Sequence, residues 1–123
     1  MQRINERFKE ELSTMLVKEV ADPRLVGVMV TDVKVDRELA YAEVFVSAVE
    51  GSQRSQEVLA GLRHAAGFLR TALAARIDLR SFPRLRFHWD PTPERADHIE
   101  RLLAEMRAQT PPPAPEEPSA DES

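Results

Sequence analysis

Apolar residues recur at three- and four-residue spacing from the start of the chain. Ile4, Phe8, Leu12, Met15 and Leu16 form one stripe, which predicts an amphipathic helix over residues 3–20. Arg7 and Glu11 lie one turn apart on its wetter side and can pair. Asp22-Pro23 ends the pattern, because the residue before a proline is pushed out of the α region. Pro23 to Gly27 is a connector. Two strands follow, Val28 to Val35 and Tyr41 to Ser47, both rich in β-branched or aromatic residues. In the second, Ala42, Val44 and Val46 share one face, and Tyr41, Glu43, Phe45 and Ser47 the other. Asp36 to Leu39 is short enough to join the strands as an antiparallel hairpin, across which Asp32 and Glu43 can face each other.

Residues 55–78 return to helical spacing, through Val58, Leu59, Leu62, Ala66, Leu69, Leu73 and Ile77. Ala65-Ala66-Gly67 interrupts the run. A glycine there implies either close packing or a kink between two helices. After Ser81-Phe82-Pro83, the segment Arg84 to Trp89 alternates strictly. Leu85, Phe87 and Trp89 point to a core, and Arg84, Arg86 and His88 to the opposite face. Thr92-Pro93-Glu94 opens a last helix, with threonine as N-cap and proline in the first turn, and Ile99, Leu102, Leu103 and Met106 form its apolar side. The order is helix, strand, strand, helix, helix, strand, helix. This is an α+β domain with a three-stranded sheet and helices packed on one face.

Length and composition fit that picture. At 123 residues and 42% hydrophobic, the chain suits one domain, over residues 1–108. Residues 109–123, with five prolines and four acids, are expected to form a disordered tail. No signal peptide or membrane span is visible, and there is no cysteine. The net charge of -4 hides an uneven distribution: residues 61–90 carry six arginines, no lysine and two acids. Such a stretch is either a solvated charged face, a phosphate-binding face or a protein contact.

Catalysis finds no support. His64, His88 and His98 have no metal-ligand spacing, no serine sits in a nucleophile motif, and the four glycines form no phosphate loop. No cofactor and no metal is expected, and the chain is not expected to be an enzyme. The candidate contacts for RNA phosphates are Arg63, Arg70, Arg80, Arg84 and Arg86, with His64 and Gly67 at their edge and Arg3 and Arg7 extending them from the first helix. For each, a purely structural role is the alternative: Arg84 and Arg86 can keep the outer sheet face wet, and Arg3 and Arg7 can pair with Glu6, Glu10 or Glu11.

Several segments in order resemble the bacterial ribosome-binding factor A family. They are Asp22-Pro23-Arg24-Leu25, Val30 to Val35, Arg37 to Ser47, Ala65-Ala66-Gly67-Phe68-Leu69-Arg70, and Leu79-Arg80 with Pro83-Arg84-Leu85-Arg86-Phe87. The resemblance covers residues 2–106. It implies a type II KH-like domain in which an Ala-x-Gly kink, here Ala65-Ala66-Gly67, replaces the Gly-x-x-Gly loop and joins two helices. It further implies a cytoplasmic, monomeric, non-catalytic assembly factor that binds free small (30S) ribosomal subunits and their 16S rRNA, with neighbouring ribosomal proteins as further partners and no membrane. Maturation of the 5′ end of the 16S rRNA and growth in the cold are the processes it implies. The alternatives are a general KH-type RNA-binding protein acting off the ribosome, and a protein–protein adaptor.

Overall fold

The first apolar stripe becomes helix α1 (Gln2–Lys18) in the computed structural model, which describes residues 2–109. Phe8, Leu12, Met15 and Leu16 are buried along it. Asp22 then caps a single 3-10 turn (Pro23–Leu25), its carboxylate accepting the Arg24 backbone N–H at 2.9 Å. Proline suits that first position because its missing N–H would have had no partner there.

Strands β1 (Val28–Val35) and β2 (Tyr41–Ala48) pair antiparallel, as expected. The hairpin closes through Asp36, whose Oδ1 accepts the Ala40 N–H at 2.7 Å. Leu39 takes a left-handed φ of 59°, a costly conformation for leucine, and its side chain is buried. The register shifts by one residue between Val30 and Asp32. Thr31 is therefore a bulge, and the alternation of β1 changes parity there. Without it, Val28 and Val30 would face the core while Val33 and Val35 faced solvent. With it, all four are buried. The Thr31 hydroxyl donates to Asp90 Oδ2 at 2.7 Å and lies 3.2 Å from the Phe45 carbonyl oxygen. On the hairpin side of the bulge Val35 pairs with Ala42, so Asp32 and Glu43 do not face each other: Asp32 lies opposite Phe45, and Lys34 opposite Glu43.

Helix α2 (Ser55–Arg76) leads into β3 (Arg84–Trp89), which pairs parallel to β2 and gives the order β1-β2-β3. A parallel return needs a crossover, and α2 supplies it. Its buried residues Val58, Leu62, Leu69 and Leu73 meet those of α1 and the inner sheet residues in one core. Asn5 adds a polar tie, accepting the Val35 N–H at 3.0 Å. The arrangement is the type II KH-like one.

The expected division into two helices is not found. Helix α2 runs unbroken through Ala65-Ala66-Gly67. Leu62 on one side of the glycine, and Leu69 and Leu73 on the other, are fully buried. Anchoring at both ends outweighs the roughly 1 kcal/mol that a helical glycine costs. Nor does Gly67 serve close packing, since a Cβ there would have nothing within 4 Å. That role falls to Gly61, where a Cβ would lie 3.0 Å from Leu25 Cδ2 and 3.2 Å from Arg24 Cβ.

The chain divides into two units at Pro91. The second contains α3 (Thr92–Gln109), which starts at the expected Thr92-Pro93-Glu94. Its apolar residues Ile99, Leu102, Leu103 and Met106 are exposed. The expected tail lies outside the described residues, apart from Gln109. No helix among the described residues is long and apolar enough to cross a membrane.

Candidate nucleic-acid interface

The candidate residues of the first unit fall on two opposite sides of its two layers. Helices α1 and α2 cover the inner sheet face, so the outward side of α2 and the outer sheet face point away from each other. Arg63, His64 and Gly67 are exposed on the outward side of α2. Arg63 has no hydrogen-bond or ion-pair partner among the described residues. Between Glu57 and Asp78 the chain has no acid, so α2 offers nothing along its middle to neutralise that charge.

Arg70 follows Arg63 by two turns, but its guanidinium is engaged. Nε donates to the Pro83 carbonyl at 3.0 Å and Nη2 to the Phe82 carbonyl at 2.8 Å, which fastens α2 to the segment entering β3. The side chains of Arg80 and Arg84 are exposed and have no partner among the described residues. Arg86 lies on the outer sheet face in an ion pair with Glu43 at 2.5 Å, its Cζ 3.8 Å from the centroid of the Tyr41 ring. His88 reaches the same carboxylate at 2.5 Å. On α1, the Arg3 side chain has no partner among the described residues, whereas Arg7 donates to Glu11 at 3.3 Å and to the Arg76 carbonyl at 3.0 Å. Both border a shallow surface that also holds Glu6 and Glu10, whose carboxylates offset the positive charge. The nine residues thus do not make one basic face. The structure groups Arg63, His64 and Gly67, and separates them from Arg84 and Arg86. Among the described residues, no group of three or more His, Asp or Glu side chains is placed to hold a metal ion.

Two residues that the sequence did not single out matter here. Arg54 braces the connector before β1, donating to the Val26 carbonyl at 2.7 Å and the Arg24 carbonyl at 2.9 Å. Phe68 is half exposed on α2; its place outside the stripe of Leu62, Leu69 and Leu73 was the available signal.

Comparison with known proteins decides the family, since the ribosome-binding factor A model matches residues 1–103. The chain belongs to the ribosome-binding factor A family. Its relatives include ribosome-binding factor A of Alcanivorax borkumensis, 42% identical over 108 residues, which are 87% of this chain and 79% of that one. The Nitrosomonas europaea protein is 42% identical over 103 residues, 84% and 88% of the two chains. Among solved structures, ribosome-binding factor A of Thermus thermophilus matches with a TM-score of 0.64 and 27% identity, over 72% of this chain and 92% of that one. A homology model of the Thermus thermophilus factor, fitted into the cryo-EM map of its complex with 30S, matches with a TM-score of 0.55 and 29% identity, over 68% and 87%.

Within this ribosome-binding factor A fold, electrostatics separate structural from available cations. The hydrogen bond from Arg86 holds the Glu43 carboxyl below its usual range, with a smaller contribution from His88, and Glu43 in turn raises Arg86. Asp22 is lowered chiefly by the Arg24 side chain. A lowered carboxylate stabilises the fold above the unfolded-state range and loses that contribution as pH falls through the folded value. For Glu43 the loss falls below about pH 4, the ordinary carboxylate range. The pair is partly exposed, so Glu43→Gln should cost about 0.5–1 kcal/mol at pH 7 and progressively less as the pH falls below the ordinary carboxylate range, checked by urea unfolding over a pH series.

Gly67 gives a second test. With open space around it and a helical backbone, Gly67→Ala should raise stability by about 0.5–1 kcal/mol in thermal or urea unfolding. A destabilised variant would show that α2 bends there.

Proposed function

We propose that this chain is a non-catalytic, monomeric, cytoplasmic assembly factor that binds free 30S subunits and assists late maturation, including processing of the 5′ end of the 16S rRNA, with its greatest importance at low temperature. The family match over residues 1–103 carries this proposal. The complex of the Thermus thermophilus factor with 30S supports the partner. Small-subunit rRNA is the polyanion that Arg63, without a side-chain partner among the described residues and on a stretch of helix with no acid after Glu57, suits.

The contact centres on the outward side of α2, at Arg63 and His64, with Gly67 allowing a sugar–phosphate backbone to approach. Arg80, Arg84 and Arg3, whose side chains also lack partners among the described residues, add phosphate contacts at its margins. Arg7, Arg70 and Arg86 contribute less, because their donors are already engaged within the protein. Binding shifts an rRNA equilibrium only by its difference in affinity between immature and mature arrangements. The factor holds the first and leaves the second. Misfolded RNA pairings are harder to escape when cold, which accounts for the temperature dependence.

Co-sedimentation with free 30S, free large subunits and assembled ribosomes, at two salt concentrations, tests this. Salt-sensitive retention on free 30S alone is the expected result. Equal retention on all three particles, or tighter binding to naked RNA, would point to general RNA binding. Retention that is insensitive to salt and to loss of the arginines would point to a protein adaptor.

A further inference from the structure

We infer that Phe68 is a stacking platform for one unpaired RNA base, with Arg63 holding the adjoining phosphate. This deepens the RNA-binding proposal above and rests on it. Phe68 is 52% exposed, and it is the aromatic among the exposed large hydrophobic residues. The other rings on or near the surface are occupied. Arg86 lies over Tyr41, Lys34 Nζ is 5.6 Å from the centroid of Phe45, and Phe82 stacks on Phe8 at 5.3 Å. Phe68 has no ring partner among the described residues.

The surroundings select the ligand. His64 precedes Phe68 by one turn and so adjoins it on the helix surface, while Gly67 beside it leaves the backbone uncovered. The other exposed residues from 63 to 71, namely Arg63, Arg70 and Thr71, are polar. An apolar protein partner would meet one large apolar side chain flanked by alanines and polar groups, since Phe68 is the one exposed large hydrophobic residue on α2. A nucleotide needs one aromatic face for its base and one cation for its phosphate. A Cβ at residue 67 would stand where the sugar–phosphate backbone approaches, which explains why an otherwise destabilising glycine serves function here.

The test compares the full wild-type chain with Phe68→Leu, Phe68→Trp and Arg63→Ala for retention on free 30S over a salt series. Phe68→Leu keeps apolar bulk but loses the stack, and should weaken binding roughly 5- to 100-fold with an unchanged salt slope. Phe68→Trp should bind as wild type or tighter. Arg63→Ala should reduce the salt slope by about 1. A photoreactive benzoylphenylalanine at position 68 should crosslink to rRNA. Wild-type affinity in Phe68→Leu, weakened binding in Phe68→Trp, or a crosslink to a ribosomal protein would each overturn the stacking role while leaving 30S binding intact. Failure of the wild-type chain to bind 30S at all would overturn the ribosomal proposal, and the stacking role with it.

Discussion

Phe8→Ala is expected to destabilise the protein by about 3–5 kcal/mol, the range for removing a fully buried aromatic side chain. Phe8 is completely buried in the middle of α1, and its ring stacks on Phe82 with centroids 5.3 Å apart and planes at 19°. Phe82 lies in the segment entering β3, where its carbonyl accepts from Arg70. The stack thus joins the first helix to the approach of the last strand, two regions far apart in sequence. Truncation leaves a void that neither side can fill alone. Against a total of roughly 5–15 kcal/mol for a domain of this kind, the loss is large. Urea denaturation should show a much lower midpoint with little change in slope. Phe68→Ala, at an exposed position, should stay within about 0.5 kcal/mol of wild type. A loss below 1 kcal/mol for Phe8→Ala would mean that α1 does not dock as described.

The apolar stripes placed α1 and α2, and strict alternation placed β2 and β3, because burial on one face imposes the helical or strand period on the sequence; the stripe that placed α3 is exposed. What escaped notice had no periodic signature. The bulge at Thr31 is visible only once two consecutive polar residues, Thr31 and Asp32, are seen to reset an alternation that otherwise continues. The glycine in the middle of α2 carries the same local signal whether a helix breaks or continues, and buried leucines on both sides decided for continuity.

The candidate site was legible as a composition and less so as a surface. Six arginines in residues 61–90 marked a basic stretch, open to solvation, phosphate binding or a protein contact. Three of them serve the fold: Arg70 caps carbonyls, Arg86 pairs with Glu43, and Arg76 binds Glu19 at 2.6 Å. Arginine carries five donors and suits internal bracing as well as phosphate. Local sequence cannot show which carbonyls or carboxylates a long side chain will meet, because those partners lie on other elements. Arg63, Arg80 and Arg84 remain available.

Arg54 shows the same rule most clearly, and its removal is the second large effect expected. Its side chain is only 14% exposed. Nη1 and Nη2 donate to the Val26 and Arg24 carbonyls, while Glu50 and Glu57 take further donors at 3.0 and 3.2 Å. One guanidinium thus fastens the connector between α1 and β1 to the start of α2, one to two turns from the Gly61 contact with Leu25. Arg54→Ala should cost about 1.5–3 kcal/mol, the range for hydrogen bonds to charged groups, moderated where water can reach the freed carbonyls. Arg54→Lys should recover less than half, since a single ammonium cannot reproduce the planar fork that spans both carbonyls. Urea unfolding gives the magnitude. Amide exchange at residues 24–28 should accelerate in Arg54→Ala more than exchange in β2, because the connector loses its clasp before the sheet opens. Binding to 30S at a temperature where the variant stays folded should match wild type, since the donors of Arg54 are used within the protein.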